Sequence, residues 1–260
     1  MIKEMKKDLL NIRIYDTRVD LGGDAGKMIG NKIRELLDRQ QYVNMVFGAA
    51  PSQDETLATL VAESGIDWGR VNGFHMDEYI GLGLGASQSF GKFLKDRLFD
   101  QLSFHAVHYL NGNANNLFQE CERYTHLLSL HPTDIVCMGI GENTHIAFND
   151  PHVAQFDDPE LVKIVNMDDE CRAQQVHDGC FNTIKEVPLQ AITMTVPALF
   201  RSRFAYCMVP GNTKANAVHV TLTSDIQAKY PATILRKHPD ATLFLDQESS
   251  ALFTDKVEAR

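Results

Sequence analysis

Cysteine is sparse and unpaired in this sequence. Its five cysteines, at positions 121, 137, 171, 180 and 207, include no Cys-x-x-Cys pair. An odd, scattered set argues against a disulfide framework and for a reducing compartment, with the thiols serving as small core residues. Clustered positive charge is also missing. Lys and Arg number 25 against 34 Asp and Glu, for a formal net charge of −9. That excludes an extended nucleic-acid surface or a basic membrane patch, while leaving room for a local anion site. Lys3, Lys6 and Lys7 are followed by no apolar leader segment, and no apolar run approaches the roughly 18 residues of a membrane span. A soluble cytoplasmic protein is expected, with no membrane or nucleic-acid partner. There is no His-Glu-x-x-His and no Cys/His ligand spacing, so no metal is expected. The glycines at 81, 83 and 85 lack the Gly-x-Gly-x-x-Gly spacing behind a strand, so no dinucleotide cofactor is expected. Neither an internal repeat nor a Pro/Ser-rich linker divides the chain, and residues 1–260 read as a single domain.

What is present is alternation. Apolar runs at Asn11–Tyr15, Val43–Phe47, Val71–Met76, Ala106–Leu110 and Asp134–Ile140 read as strands. Later strands are expected at Leu161–Val165, Ala191–Val196, Phe204–Val209 and Ala241–Leu245. Between them lie helical spacings: Ala25 through Leu37 within a helix reaching about Arg39, then Gln53–Glu63, a helix marked by Phe90, Phe93, Leu94 and Leu98, and Asn115–Leu128. Further helices are expected at Thr213–Val220 and Ala232–Lys237. Ser52 and Glu55 fit a capping box opening the second helix. Strand–helix alternation favours an α/β fold with a doubly wound, mostly parallel sheet covered by helices on both faces.

In such a sheet the carboxyl ends of the strands share one edge, where ligands bind. Three of those ends carry chemistry. The second strand runs into Ala49-Ala50-Pro51-Ser52-Gln53 at a helix N-terminus, where free N–H groups suit a phosphate and where Ser52 also reads as a plain N-cap. The third ends in His75-Met76-Asp77-Glu78, and paired carboxylates beside apolar residues can have one pKa raised towards that of a base working near neutrality; a solvated turn is the alternative. The fifth delivers Gly139-Ile140-Gly141-Glu142-Asn143-Thr144-His145, a glycine-rich turn presenting a histidine, with Asp150 close behind. Pro210-Gly211-Asn212-Thr213-Lys214 follows another strand, and Lys214 could reach a phosphate.

These segments resemble a known family. Phe74-His75-Met76-Asp77-Glu78-Tyr79-Ile80-Gly81-Leu82 looks like the aromatic-x-x-Asp-Glu-Tyr-x-Gly-Leu motif of glucosamine-6-phosphate deaminases, and residues 139–151 resemble that family's glycine–histidine signature. Leu110-Asn111-Gly112-Asn113, Pro210 to Lys214 and Ala232 to Pro239 are similar to further family segments in the same order. Tyr79 stands where the sister 6-phosphogluconolactonases have arginine. The resemblance implies a cofactor-free isomerising deaminase that turns glucosamine 6-phosphate into fructose 6-phosphate and ammonia. It implies His145 as the ring-opening acid/base, Asp77 as the C2-to-C1 proton carrier, and Asp150 with Asn143 as supports of His145. Ala50, Pro51, Ser52, Gln53, Glu78, Gly141 and Lys214 would bind the sugar phosphate, and Arg172 is the candidate phosphate arginine. An isomerase or lactonase on another sugar phosphate, or a silent sugar-phosphate sensor, are the alternatives, and homo-oligomer assembly is left open. The chain departs from the family pattern at Asn143 and Asp150, which replace Asp and Glu, and at Thr144, which replaces glycine. In serine-protease triads an acid-to-amide exchange costs about 10⁴ in rate, mainly by fixing the wrong tautomer. Thr144, being β-branched, tolerates a left-handed turn poorly.

Overall fold

The computed structural model describes residues 1–83 and 85–254. The chain opens with two antiparallel strands, β1 (Lys3–Lys7) and β2 (Leu10–Tyr15), followed by helix α1 (Arg18–Leu37). Then come β3 (Val43–Phe47), α2 (Asp54–Ala62), β4 (Val71–His75) and the three-residue β5 (Asp77–Tyr79). Helix α3 (Phe90–Leu94) continues into a wider π turn at Lys95–Phe99 and is followed by β6 (Ala106–His108), α4 (Leu117–Leu130) and β7 (Ile135–Met138). The second half contains β8 (Val162–Asn166), α5 (Asp169–His177), β9 (Gln190–Met194), α6 (Val196–Phe200), β10 (Phe204–Val209), α7 (Ala215–Thr223), β11 (Ala241–Asp246) and α8 (Gln247–Thr254).

Eight strands form the main sheet in the order β1-β2-β11-β10-β7-β3-β4-β6, and every neighbouring pair except β1/β2 is parallel. Parallel strands buried on both faces read as near-continuous apolar runs, which is why Val43–Phe47 and Phe204–Val209 are visible in the sequence. One face packs against α1 and α2, with Ile29, Ile33, Leu57 and Leu60 against Met45, Phe47 and Tyr206. Gly22 and Gly26 let those two helices touch: an added Cβ would lie 2.4 Å from Glu55 Cβ and 2.6 Å from Thr59 Cβ respectively. The other face packs against α4 and α7 through Tyr124, Leu128, Val218 and Leu222.

Several features differ from the sequence reading. β8 and β9 do not join the main sheet; with β5 they form a separate antiparallel sheet, order β5-β9-β8. Asp77–Tyr79 is therefore a strand where a loop is expected. The capping box at Ser52 does not form: Pro51–Gln53 is a 3₁₀ turn, no side chain among the described residues caps it or α2, and Glu55 turns instead to Arg18. Ala232–Lys237 lies within a 3₁₀ segment, Pro231–Lys237, rather than an α-helix. No helix among the described residues is long and apolar enough to cross a membrane.

Candidate active site

The connections reverse direction between β3 and β7: β3 leads to β4 on one side, and the chain after β7 returns through β10 on the other. Ligands bind in the crevice at such a switch point. A cavity of about 200 Å³ opens there, lined by the loops after β3, β7 and β10, by Asp77, and by Gln174, Gln175, Asp178 and Cys180. Asp77, His145, Ala50, Pro51, Ser52, Gln53, Gly141 and Lys214 all face it.

Asp77 owes its position to a change of sheet. Met76 donates its N–H to Phe47 O (3.2 Å) in the main sheet and accepts from Met194 N (3.0 Å) in the small one. The next residue, Asp77, pairs with Thr193 of β9 and points into the cavity. Burial, reinforced by the Glu78 charge, holds the Asp77 carboxyl well above the usual carboxylate range. Glu78 points the other way, as alternate strand residues do. Its carboxylate accepts from Ser89 Oγ (2.6 Å), Gly91 N (2.9 Å) and Phe90 N (3.2 Å), so it holds the start of α3 and stands outside the cavity. Tyr79, fully buried, packs on Phe90 and Phe148 and donates its hydroxyl to Gln175 Oε1 (2.5 Å), which lines the cavity.

The loop after β7 folds the histidine back on its own glycine. A Cβ at Gly141 would fall 2.1–2.4 Å from three atoms of the His145 ring, so only glycine lets the imidazole lie there. Thr144 adopts φ 72° and Ala147 φ 48°, so the left-handed turn persists despite the β-branched side chain. Such a conformation costs on the order of 1–3 kcal/mol and is kept only where surrounding contacts enforce it. Here Thr144 O accepts from Ala232 N (2.9 Å) and Gly141 O accepts from Thr144 N (2.9 Å).

Behind the ring lies a polar network. Asn143 Oδ1 sits 2.7 Å from His145 Nδ1 and also accepts from His145 N (3.0 Å). The Asn143 amide Nδ2 donates to Asp150 Oδ1 (3.1 Å) and Asp168 Oδ2 (3.0 Å). Asp150, without solvent exposure, has Oδ1 3.3 Å from His145 Nδ1 and accepts from Asp168 N (3.1 Å) through Oδ2. Burial pushes the Asp150 carboxyl up, but the hydrogen bonds from His145, Asp168 N and Asn143 outweigh it and leave its pKa lowered. Asn143 and Asp150 thus stand behind His145, out of the cavity.

At the opposite side of the cavity Gly211, at φ 95°, donates its N–H to both Asp246 oxygens (3.1 and 3.0 Å), fixing the turn that presents Lys214. Lys214 is buried, and burial lowers its pKa against the partial support of Asp178 and Glu142. Gln53 spans the floor: its Nε2 donates to Ser52 Oγ (3.0 Å) and approaches Met138 O (3.3 Å), while its buried Oε1 has no partner among the described residues. Arg172 is not here. Its guanidinium binds Asp169 and the carbonyls of Ile184 and Val187, fastening α5 to the following turn. The arginine at the cavity is Arg18, from the first turn of α1, held by Glu55 (2.6 and 2.8 Å) and Pro51 O (2.8 Å).

Sequence reasoning also misses Gln174, Gln175, Asp178 and Cys180, which line the cavity from α5 and its end. The segment has almost no apolar period because its inner face meets a polar pocket; Gln174 and Gln175 are buried where a helix would normally place leucines. The available signal was the Asp168 N-cap, whose side chain accepts from Cys171 N (2.6 Å). Among the described residues two donor groups, His145/Asp150/Cys171 and Asp150/His152/Asp168, bring their atoms within 4.8 Å of one another. Hydrogen bonds to Asn143 engage His145, Asp150 and Asp168, and burial holds the Cys171 thiol far above its ordinary pKa, disfavouring the thiolate that a metal would need.

A buried carboxyl of raised pKa, a histidine backed by an amide and a carboxylate, and a buried lysine thus meet around one cavity at the switch point of a doubly wound sheet, an arrangement able to receive an anion and to exchange protons with it. Residues 16–244 match the family model for glucosamine-6-phosphate isomerases/6-phosphogluconolactonase, and the chain belongs to that family. It is 29% identical over 248 residues to a glucosamine-6-phosphate deaminase of Bacillus cytotoxicus, covering 95% of this chain and 91% of the relative. A Bacillus cereus (strain B4264) protein of the same name is 30% identical with the same coverage. Among solved structures, one described as a monomeric glucosamine-6-phosphate deaminase superposes with a TM-score of 0.84 at 27% identity, over 95% of this chain and all of that one. A 6-phosphogluconolactonase from Thermotoga maritima shares the fold at TM-score 0.74 and 20% identity, over 91% and 99% of the two chains.

Proposed function

We infer that this chain is a glucosamine-6-phosphate deaminase, producing fructose 6-phosphate and ammonia. The observation that carries the reading is the buried Asp77 carboxyl, raised in pKa, facing the same cavity as His145 and Lys214. Lys214, with Ser52 and the N–H groups of the Pro51–Gln53 turn, holds the phosphate; Arg18 stands at the same wall and supplies the guanidinium that Arg172 does not. His145, with Nδ1 tied to Asn143, uses Nε2 to move a proton between the ring oxygen O5 and O1, opening the sugar. Asp77 then takes the proton from C2 and returns it to C1. The C2–H is acidified once C1 is a carbonyl, and a desolvated carboxylate of raised pKa is a matched base for it. The resulting C2 imine is hydrolysed by water, which leaves its oxygen on C2 and releases nitrogen as ammonia. Asp150 balances the charge His145 gains during ring opening. The whole chain acts as one catalytic unit. Its free cysteines fit a reducing cytoplasm.

The experiment is to follow ammonia and fructose 6-phosphate release from glucosamine 6-phosphate, with the galactosamine epimer and 6-phosphogluconolactone in parallel. Stoichiometric release of both products, abolished in Asp77→Asn, is expected. Binding of the glucosamine compound with no turnover, or faster hydrolysis of the lactone, would overturn the assignment.

A further inference from the structure

Asn143 sits where a carboxylate would give the simplest support for a histidine, because an amide can turn either end towards the ring. With its oxygen towards Nδ1 it leaves Nε2 as the nitrogen with an available lone pair; with its NH₂ towards Nδ1 it enforces the opposite tautomer. The wrong orientation would leave His145 unable to accept a proton at Nε2. Asp150 alone is a weak arbiter, since its Oδ1 lies close to both Asn143 Nδ2 (3.1 Å) and His145 Nδ1 (3.3 Å). Asp168 is not ambiguous. Its Oδ2 accepts from Asn143 Nδ2 at 3.0 Å, while its Oδ1 is occupied by Cys171 N at 2.6 Å. The half-exposed His152 also approaches Oδ2, its Nδ1 4.0 Å away. Reversing the amide would set its oxygen against two carboxylates and its NH₂ against the His145 backbone N–H, turning three of its four contacts repulsive and leaving only the one to His145 Nδ1 satisfied, in the opposite tautomer.

We propose that Asp168 is a positioning residue for the reaction: with Asp150 it locks the Asn143 amide and thereby holds His145 in the Nδ1–H tautomer. The unit that replaces one carboxylate is an amide oriented by two carboxylates. Asp168 also caps α5, so the helix that brings Gln174 and Gln175 to the cavity is tied to the same network. The tautomer assignment rests on geometry alone; its catalytic consequence rests on His145 being the acid/base of the proposed function.

Two variants separate orientation from capping. Asp168→Asn and Asp168→Ser both keep an oxygen able to cap α5, so the helix is retained. In Asp168→Asn the new amide would cap with its oxygen and present its NH₂ to the NH₂ of Asn143; in Asp168→Ser the shorter hydroxyl would not reach Asn143 at all. Histidine ¹⁵N NMR, with the His145 pair assigned by its disappearance in His145→Gln, reads the tautomer directly. The wild type is expected to show His145 Nδ1 protonated and Nε2 bare. Asp168→Asn should show mixed or reversed tautomers and a kcat lower by about 10–100-fold, with KM changed by less than about threefold and thermal stability close to wild type. An unchanged tautomer and kcat in Asp168→Asn would reduce Asp168 to a helix cap and overturn the proposal, as would an Nε2–H histidine in the wild type. If the tautomer shifts as expected while His145→Gln remains fully active, the positioning stands and it is the catalytic role of His145 that falls.

Discussion

Gly141→Ala isolates the placement of His145 from everything else in the site. Gly141 has no left-handed φ, so alanine is acceptable to the backbone and the perturbation is purely steric. The new methyl would stand 2.1 Å from Cε1, 2.2 Å from Nδ1 and 2.4 Å from Nε2, where ordinary contact begins near 3.4 Å. The ring therefore has to withdraw by about 1 Å, and a misplacement of that size costs on the order of 10²-fold in rate. Withdrawal also lengthens the 2.7 Å bond to Asn143 Oδ1 and loosens the tautomer. A neutral hydrogen bond lost at a site that water can reach costs roughly 1 kcal/mol, or about 2–4 °C in Tm for a chain of this size. The expected result is kcat down about 100-fold, KM within about threefold because the phosphate contacts are untouched, and a Tm lower by only a few degrees. Steady-state ammonia release and a thermal melt measure both. Activity within twofold of wild type, in a variant that melts normally, would refute the idea that turnover depends on where this imidazole lies.

Asp77→Asn should abolish turnover and at the same time stabilise the protein above neutral pH. The folded Asp77 carboxyl binds its proton more tightly than the unfolded chain does, so its contribution to stability falls as pH rises from the unfolded pKa towards the raised folded one. Melts at pH 8 should show the variant above wild type, with the gap closing as pH is lowered; no gap at pH 8 would show that Asp77 is not destabilised by its burial. Lys214→Met should raise KM and the inhibition constant of inorganic phosphate by at least about tenfold, a loss of about 1.4 kcal/mol, without lowering Tm, because a buried ammonium of depressed pKa contributes little to folding. Undiminished phosphate inhibition would move the anion site away from Lys214.

The buried parallel strands were legible because both of their faces are apolar, and the loops that follow β3, β7 and β10 could be placed on one edge from alternation alone. The misses have local causes. β1 is Lys-Glu-Met-Lys-Lys, an edge strand whose charges suit exposure and hide its pairing. β5 is three residues long and pairs with a strand more than a hundred residues away, so no period announces it. That miss caused another: once Asp77 and Glu78 alternate across a strand, they cannot both face the cavity. Pro51 draws Ser52 into a 3₁₀ turn, where its hydroxyl meets Gln53 instead of capping α2. Arg18 belongs to a helix start that precedes the Pro51–Gln53 turn by 33 residues, a neighbourhood created by the close approach of α1 and α2 at Gly22. Asp168 could not be joined to His145 by spacing, because the small sheet brings α5 back across the intervening chain.

Met76 bonds to one sheet through its N–H and to the other through its carbonyl, and Asp77 is the first residue beyond that seam. The proposed base is thus set by two hydrogen-bonded sheets, much as a rivet is set by two plates. Loss of the pairing between β5 and β9 would release Asp77 from its register with Thr193. On the proposed function, catalytic competence is consequently tied to the integrity of the small sheet as well as of the large one.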